Sequence, residues 1–251
     1  MAKIISIANH KGGCGKTTSS INIGAALASM GYDTLLVDLD PQANLTLSLG
    51  ASTRTEAGNV YTSLMNGTPM RPLPVSEHLE LVPSCTDLVG AELELAAAKG
   101  RENRLKEALA PMMGKYSFII VDCPPALGLL TINALAASSA LYVPLQAQYL
   151  ALQGLAMLDN VIGMVRQSLN RELELAGVFL TQYDSRKVLH RNVAELAAQQ
   201  YPRIICQTSI RDNVALAEAP AMCQTIFQYA PRSKGAEDYT ALAKEILNRS
   251  K

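Results

Sequence analysis

Residues 9–18, Asn-His-Lys-Gly-Gly-Cys-Gly-Lys-Thr-Thr, have the types and spacing that can hold a triphosphate. Gly12, Gly13 and Gly15 let the backbone turn tightly and bring its N–H groups against phosphate oxygens. Lys16 is placed to reach the β- and γ-phosphates, and the Thr17 hydroxyl to reach Mg²⁺. A strand-like run, Ile4 to Ala8, leads into the loop, and a helix-like run, Ser19 to Ala28, leads out. A helix beginning near Lys16 would add its positive end to the same anion. One position departs from the ordinary phosphate loop. That motif has glycine six residues before its lysine, whereas here the place is His10, and Lys11 stands ahead of the first glycine.

Two further segments carry carboxylates at the ends of apolar runs. Leu35-Leu36-Val37 is followed by Asp38 and Asp40, then Pro41 and Gln42. In a parallel βαβ unit such a strand end lies beside the phosphate loop. Two carboxylates buried there without a cation are unfavourable, and Mg²⁺ with a catalytic water gives a reason for them. Phe118-Ile119-Ile120-Val121 runs into Asp122, which puts a third carboxylate near Mg²⁺ through water. Pro124 and Pro125 stiffen the exit from that strand.

The elements that must hold these residues alternate along the chain. Strands are expected at 3–8, 34–38, 79–82, 117–121, 140–144 and 176–181, with a weaker one at 203–206. Helices are expected at 17–30, 59–66, 86–98, 102–113, 129–138, 151–169, 188–200 and 237–248. Irregular stretches fall around 50–58, 67–77 and 206–235. This alternation predicts an α/β fold, a mostly parallel sheet with helices on both faces, in one domain spanning 1–251. At 49% hydrophobic residues, a chain of 251 can build a substantial core. The absence of any run of 18 apolar residues argues against a spanning helix, and a first strand at Lys3 leaves no room for a signal peptide. Five cysteines without a Cys-x-x-Cys pair suggest reduced thiols in the cytoplasm and argue against an iron–sulfur carrier. The net charge of zero hides an asymmetry: residues 186–251 hold ten Lys/Arg and six Asp/Glu, a balance of +4, offset elsewhere. That balance permits a nucleic-acid-facing patch without demanding one.

The Lys-Gly-Gly-x-Gly-Lys-Thr-Thr form of residues 11–18 is the deviant Walker A loop, and it resembles the ParA/MinD group of P-loop ATPases. Asp38-Leu-Asp-Pro-Gln-Ala-Asn44, Asp122-Cys-Pro-Pro-Ala-Leu-Gly128, residues 130–135 and residues 230–236 look like the chromosomal ParA proteins called Soj. The resemblance implies a nucleoid-associated cytoplasmic ATPase that uses ATP and Mg²⁺. It also implies an ATP-dependent homodimer that binds DNA without sequence preference, and a ParB-like partner in chromosome or plasmid segregation. By the same resemblance residues 11–18, Cys14 and Thr18 included, contact ATP. Lys11 reaches across the dimer to the partner's nucleotide, Asp40 polarises the attacking water, Asp38 supports the magnesium shell, and Pro124-Pro125 marks a nucleotide-sensing loop. Asn213 is the candidate for the adenine base.

An N-terminal winged helix, present in some ParA proteins, is not expected here. The last helix mixes both charges, unlike the basic membrane helix of MinD-type proteins, so no membrane partner is expected. One segment departs from the Soj pattern. Where Ile-Pro-Arg-Asn-Val-Arg is common, this chain has Ile210-Arg211-Asp212-Asn213-Val214-Ala215. Ala215 thus replaces an expected DNA-contacting cation, which leaves Arg186, Arg211, Arg232, Lys234 and Lys244 as candidates. Two alternatives stay open. One is a metabolic synthase of the same fold that activates a carboxylate with ATP, as dethiobiotin and cobyrinate amide synthases do. The other is a ParA relative that positions a different cargo.

Overall fold

The computed structural model describes residues 1–54, 56–148 and 151–249. The strands are β1 Lys3–Ile7, β2 Thr34–Asp38, β3 Leu73–Ser76, β4 Leu79–Val82, β5 Phe118–Asp122, β6 Ala140–Gln146 and β7 Glu174–Thr181. The helices of the first half are α1 Lys16–Ser29, α2 Asn44–Ser48, α3 Val60–Asn66, α4 Ala91–Ala96 and α5 Arg104–Leu109. Those of the second half are α6 Leu129–Ala137, α7 Ala151–Ser168, α8 Val188–Gln200, α9 Val214–Glu218, α10 Ile226–Tyr229 and α11 Lys234–Arg249. No helix among the described residues is long and apolar enough to cross a membrane. All five cysteines are free thiols, and Cys223 alone is exposed.

The strands form one sheet in the order β3-β4-β2-β5-β1-β6-β7. Every pairing is parallel except β3 with β4. The reason lies in the strand sequences, which are apolar on both faces, as a sheet covered on both sides requires. Leu35 and Val37 of β2 and Ile119 and Val121 of β5 join the core on one face. Leu36, Phe118 and Ile120 join the core on the other. The first face is covered by α3 to α8, the second by α1 and α11. Helix α1 lies so close to the sheet that a methyl on Gly24 would collide with Leu36, so glycine there sets the spacing.

This order brings the carboxyl-terminal ends of three strands together. Ile7 and Asp122 are register partners across β1 and β5, and Asp38 and Asp122 are partners across β2 and β5. Crevices at the carboxyl ends of parallel strands are where open α/β sheets bind ligands.

Several local expectations need correction. Residues 203–206 do not form a strand; a single bridge joins Ile205 to Val178. Ile204 and Ile205 both donate their N–H groups to the Tyr201 carbonyl, which curls the segment. Residues 207 and 208 then donate to the Glu245 carboxylate rather than to a neighbouring strand. The stretch 67–77, expected to be irregular, contains β3. This edge strand holds Pro74, carries a bulge and is largely solvent-facing, so it lacks an alternating apolar signature. The expected helix at 86–98 divides into a 3₁₀ turn, Thr86–Gly90, and α4. That at 102–113 likewise ends in a 3₁₀ turn around Pro111. The last helix begins at Lys234 rather than at 237.

Candidate nucleotide site

The glycine-rich loop closes between β1 and α1 in the conformation its sequence requires. Gly13 and Gly15 adopt φ of 71° and 90°, the left-handed region that L side chains avoid. The Thr181 hydroxyl at the end of β7 donates to the Cys14 carbonyl at 2.8 Å, fixing the loop's crest. Cys14 is fully buried, and burial pushes its thiol pKa up, so it serves as packing. Lys16, 6% exposed, donates its Nζ to the Lys11 carbonyl at 3.1 Å, so the ammonium arches back over the loop. Lys11 points the other way. Its Nζ donates to Gln146 Oε1 at 2.9 Å and also to Gln148 Oε1.

Behind the loop sit the carboxylates. Asp122 is fully buried and accepts from Thr17 Oγ1 at 2.7 Å and from Ser20 Oγ at 2.9 Å. Burial, and then the neighbouring charge of Asp38, push its pKa up to about 8. Asp38 is equally buried. Its Oδ2 accepts from the Thr46 backbone N–H at 2.8 Å and hydroxyl at 2.6 Å, and its Oδ1 from the Asp40 N–H at 3.2 Å. Burial raises its pKa to about 6, with the Thr46 bonds opposing. Two like-charged groups side by side on adjacent strands, out of water, favour a cation nearby. The oxygen donors around Thr17, Asp38 and Asp122 suit Mg²⁺, which keeps several waters and takes few protein ligands beside substrate phosphates. Asp40 differs from both. Its Oδ1 accepts from the Gln42 N–H at 2.9 Å, its carbonyl accepts from Ser84 Oγ at 2.8 Å, and it faces the cavity.

That cavity, about 430 Å³, opens over the loop and is lined by Gly12, Lys16, Thr17, Asp40, Pro125 and Gln182 among others. A second cavity of about 160 Å³ shares Gly15, Thr18 and Gln182 with it as lining residues. Its walls include Ile210, Leu216, Tyr239 and Asn213, whose Oδ1 caps α9 by accepting from Ala215 N–H at 3.0 Å. The larger cavity opens on Gly12, Gly13, Gly15, Lys16 and Thr17 of the phosphate loop, and the smaller one is bounded by Asn213, the candidate for the base. The structure therefore gathers residues 11–18, Asp38, Asp40, Asp122 and Asn213 at one end of the sheet. Asp38 and Asp122 stand behind Thr46 and Thr17 rather than in the cavity wall.

Sequence reasoning missed Ser20, Thr46 and Gln182. Ser20 lies one helical turn beyond Lys16, a signal that was readable. Thr46 lies on a five-residue helix with no periodicity to detect. Gln182 adopts φ of 51° just past β7, for which a glutamine gives no cue.

Three of the five candidate DNA cations, Arg186, Arg211 and Lys234, line an open cavity of about 650 Å³ together with Asp184 and Asp212; Arg211 and Asp212 also line the 160 Å³ cavity. Arg186 makes two bonds to the Asp184 carboxylate, at 3.0 and 2.9 Å, and holds that carboxyl well below its usual range. Arg211 is anchored to Asp238, at 2.6 Å, and to Glu237, at 3.0 Å, which raises its pKa. Arg232, Lys234 and Lys244 are exposed, and Arg232 and Lys244 lie outside this cavity.

Comparison with known proteins places this geometry in a family. A family model described as an AAA domain matches residues 2–175. The sporulation initiation inhibitor protein Soj of Bacillus subtilis is 45% identical over 249 residues, covering 98% of each chain. The chromosome partitioning protein ParA of Myxococcus xanthus is 43% identical over 252 residues, covering 99% of this chain and 89% of that one. Among solved structures, a cobyrinic acid a,c-diamide synthase from Mycobacterium smegmatis, with bound ADP and magnesium, superposes with a TM-score of 0.88. It is 36% identical and covers 100% of this chain and 96% of its own. With a deviant phosphate loop, paired strand-end carboxylates and full-length similarity to Soj and ParA, the chain belongs to the ParA/MinD family of P-loop partition ATPases, on its Soj-like side.

Proposed function

We propose that this chain is a single-domain, Mg²⁺-dependent ATPase that dimerises on ATP, binds DNA without sequence preference and is reset by a ParB-like partner. The observation that carries this reading is the phosphate loop set against two buried carboxylates with a cavity on its open side. ATP lies with its phosphates along residues 12–18 and its base beside Asn213. Lys16 exchanges the Lys11 carbonyl for phosphate oxygens. Thr17 and Asp122, already bonded, and Asp38 beside them surround the place for Mg²⁺, which supplies charge neutralisation to the phosphates. Asp40 orients the attacking water, and hydrolysis releases ADP and phosphate. The Asp40 carboxylate is anchored by the Gln42 N–H, while its own backbone N–H ties it to Asp38 on the metal side.

DNA contacts in this reading come from the face that carries the exposed cations Lys234, Arg232 and Lys244, with Arg186, already paired with Asp184, contributing less. Arg211, paired with two carboxylates, shapes that face more than it charges it. A single copy offers few cations, and a dimer presents two such faces to one duplex, which raises avidity without new contacts. The contacts would be to phosphates, so binding falls steeply with salt. The protein then works in the cytoplasm, on the nucleoid, in segregating a chromosome or plasmid.

The test is a set of DNA-binding isotherms at several salt concentrations with ATP, ADP and no nucleotide, repeated with the ParB-like partner. ATP-dependent, salt-sensitive binding that the partner reverses supports the reading, and equal binding in all nucleotide states refutes it. The likeness to a cobyrinic acid a,c-diamide synthase structure supports a second reading, ATP-driven activation of a small carboxylate. That reading gains if ATP turnover rises with an added carboxylic acid and not with DNA.

A further inference from the structure

Three hydrogen bonds run in one direction from Lys11 and close a ring through the backbone of residues 11–13. Lys11 Nζ donates to Gln146 Oε1 at the end of β6. Gln146 Nε2 donates to Gln182 Oε1 just beyond β7. Gln182 Nε2 donates to the Gly13 carbonyl at 3.4 Å, which returns the chain to the phosphate loop. Gln148 Oε1 gives the ammonium a second acceptor outside the ring. Lys11 is thus held by its own subunit, through neutral amides. An amide accepts from an ammonium without the full attraction of a carboxylate, so the hold is specific and reversible.

Gln182 is the member that a nucleotide would meet. It lines both the 430 Å³ cavity and the 160 Å³ cavity. Its backbone is held in the left-handed region, which is unfavourable for a glutamine and persists only where surroundings impose it. The next residue, Tyr183, supplies that constraint: it donates its N–H to the Ile210 carbonyl at 3.0 Å and bridges to Arg211. Ile210 and Arg211 are themselves walls of the smaller cavity. Occupation of either cavity therefore presses on Gln182 or on the segment that fixes it.

We propose that Gln182 is a positioning residue for Lys11: nucleotide in the cavities breaks the Gln182 links to Gln146 and Gly13, and Lys11 is freed to reach the partner's nucleotide. The inference rests on the reading that Lys11 acts across the dimer. While the ring is closed the lysine is parked, and dimerisation has to compete with the ring. Strengthening the parking site opposes the dimer, and removing it favours the dimer even where nucleotide is absent or is ADP.

The experiment is sedimentation of the full chain over a range of concentrations with AMPPNP, ADP or no nucleotide. Gln146→Leu removes the acceptor and lowers the dimer dissociation constant about tenfold, the scale of one charge-assisted bond. Gln146→Glu supplies a carboxylate to Lys11 and raises it by a similar factor. Gln182→Ala narrows the gap between the AMPPNP and ADP constants. A merely structural role would weaken the dimer in all three variants, and that result, or no shift in any of them, overturns the proposal. Adding Lys11→Ala separates this from the underlying reading. If Lys11→Ala abolishes the AMPPNP dimer while the Gln146 variants behave alike, only the ring fails. If Lys11→Ala dimerises normally, the cross-dimer role fails and the ring's purpose with it.

Discussion

Replacing Asp38 by asparagine should make the nucleotide-free protein more stable at pH 8 while impairing the site. Asp38 is wholly buried and its pKa rises from 3.8 to about 6. Between those values the folded state holds a proton that the unfolded state has released, so stability falls as pH rises through this window and levels off above it. The shift of roughly two units corresponds to about 3 kcal/mol of lost stability at pH 8. Asparagine removes the charge. Its oxygen keeps both bonds from Thr46, while its NH₂ group faces the Asp40 N–H that Oδ1 had accepted. Losing that one bond costs about 1 kcal/mol. The net gain is therefore about 2 kcal/mol, and a domain of this size turns each kcal/mol into roughly 2–4 °C of melting temperature. At pH 5 the carboxyl is mostly protonated in the fold, and the difference shrinks below about 1 kcal/mol. The assay is thermal unfolding of both proteins at pH 5 and pH 8 without ligand, then with Mg²⁺ and ATP. Mg²⁺-ATP should raise the melting point of wild type far more than that of the variant. A variant that melts at or below wild type at pH 8 without ligand would refute the reasoning, because Asp38 would then be an ordinary satisfied carboxylate.

Other residues give sharper functional separations. Lys16→Ala should weaken ATP binding at least tenfold by calorimetry, since the ammonium already arched over the loop is lost. Thr17→Ala should weaken binding of Mg²⁺-ATP but not of ATP in chelator, because the hydroxyl is a metal-side oxygen tied to Asp122. Asp40→Ala should bind ATP, release phosphate about a hundredfold more slowly and persist as a dimer in size-exclusion chromatography, the effect expected for loss of a group that positions water. Arg211→Ala should lower stability by about 2 kcal/mol in urea titrations by leaving the 10%-exposed Asp238 carboxylate without its guanidinium. Lys234→Glu, at an exposed site, should leave the unfolding midpoint in place while reducing DNA affinity and its salt dependence in binding isotherms.

What was readable in the sequence follows from range. The phosphate loop, the Asp38 and Asp122 strand ends and the parallel sheet depend on local runs whose apolar character and glycine spacing are visible in the chain itself. The edge strand β3 was not readable, because its solvent-facing residues and Pro74 carry no alternation. Nor was the pairing of Arg211 with Asp238, which joins residues 27 apart and turns a candidate DNA cation into an anchor. The glutamines around Lys11 come from positions 146, 148 and 182, and only the folded sheet reveals that they share a neighbour.

The place of β1 in the sheet has a consequence for the birth of the protein. It is the first strand made and stands between β5 and β6, whose residues begin at 118 and 140. At about 5–20 residues per second, the ribosome needs roughly 5–20 s after β1 to deliver the first of these neighbours. Until then β1 has neither of its partners, and β2 lacks one of its two. Both are short apolar ribbons with open edges, the kind that other chains can join. The nucleotide cradle assembles later still, since Tyr239 and Asp238 arrive with α11, which packs against α1. A nascent chain halted before residue 118 thus carries the whole phosphate loop and no sheet to hold it. Such a fragment is a customer for a chaperone, and ATP can protect this protein only after nearly all of it has been made.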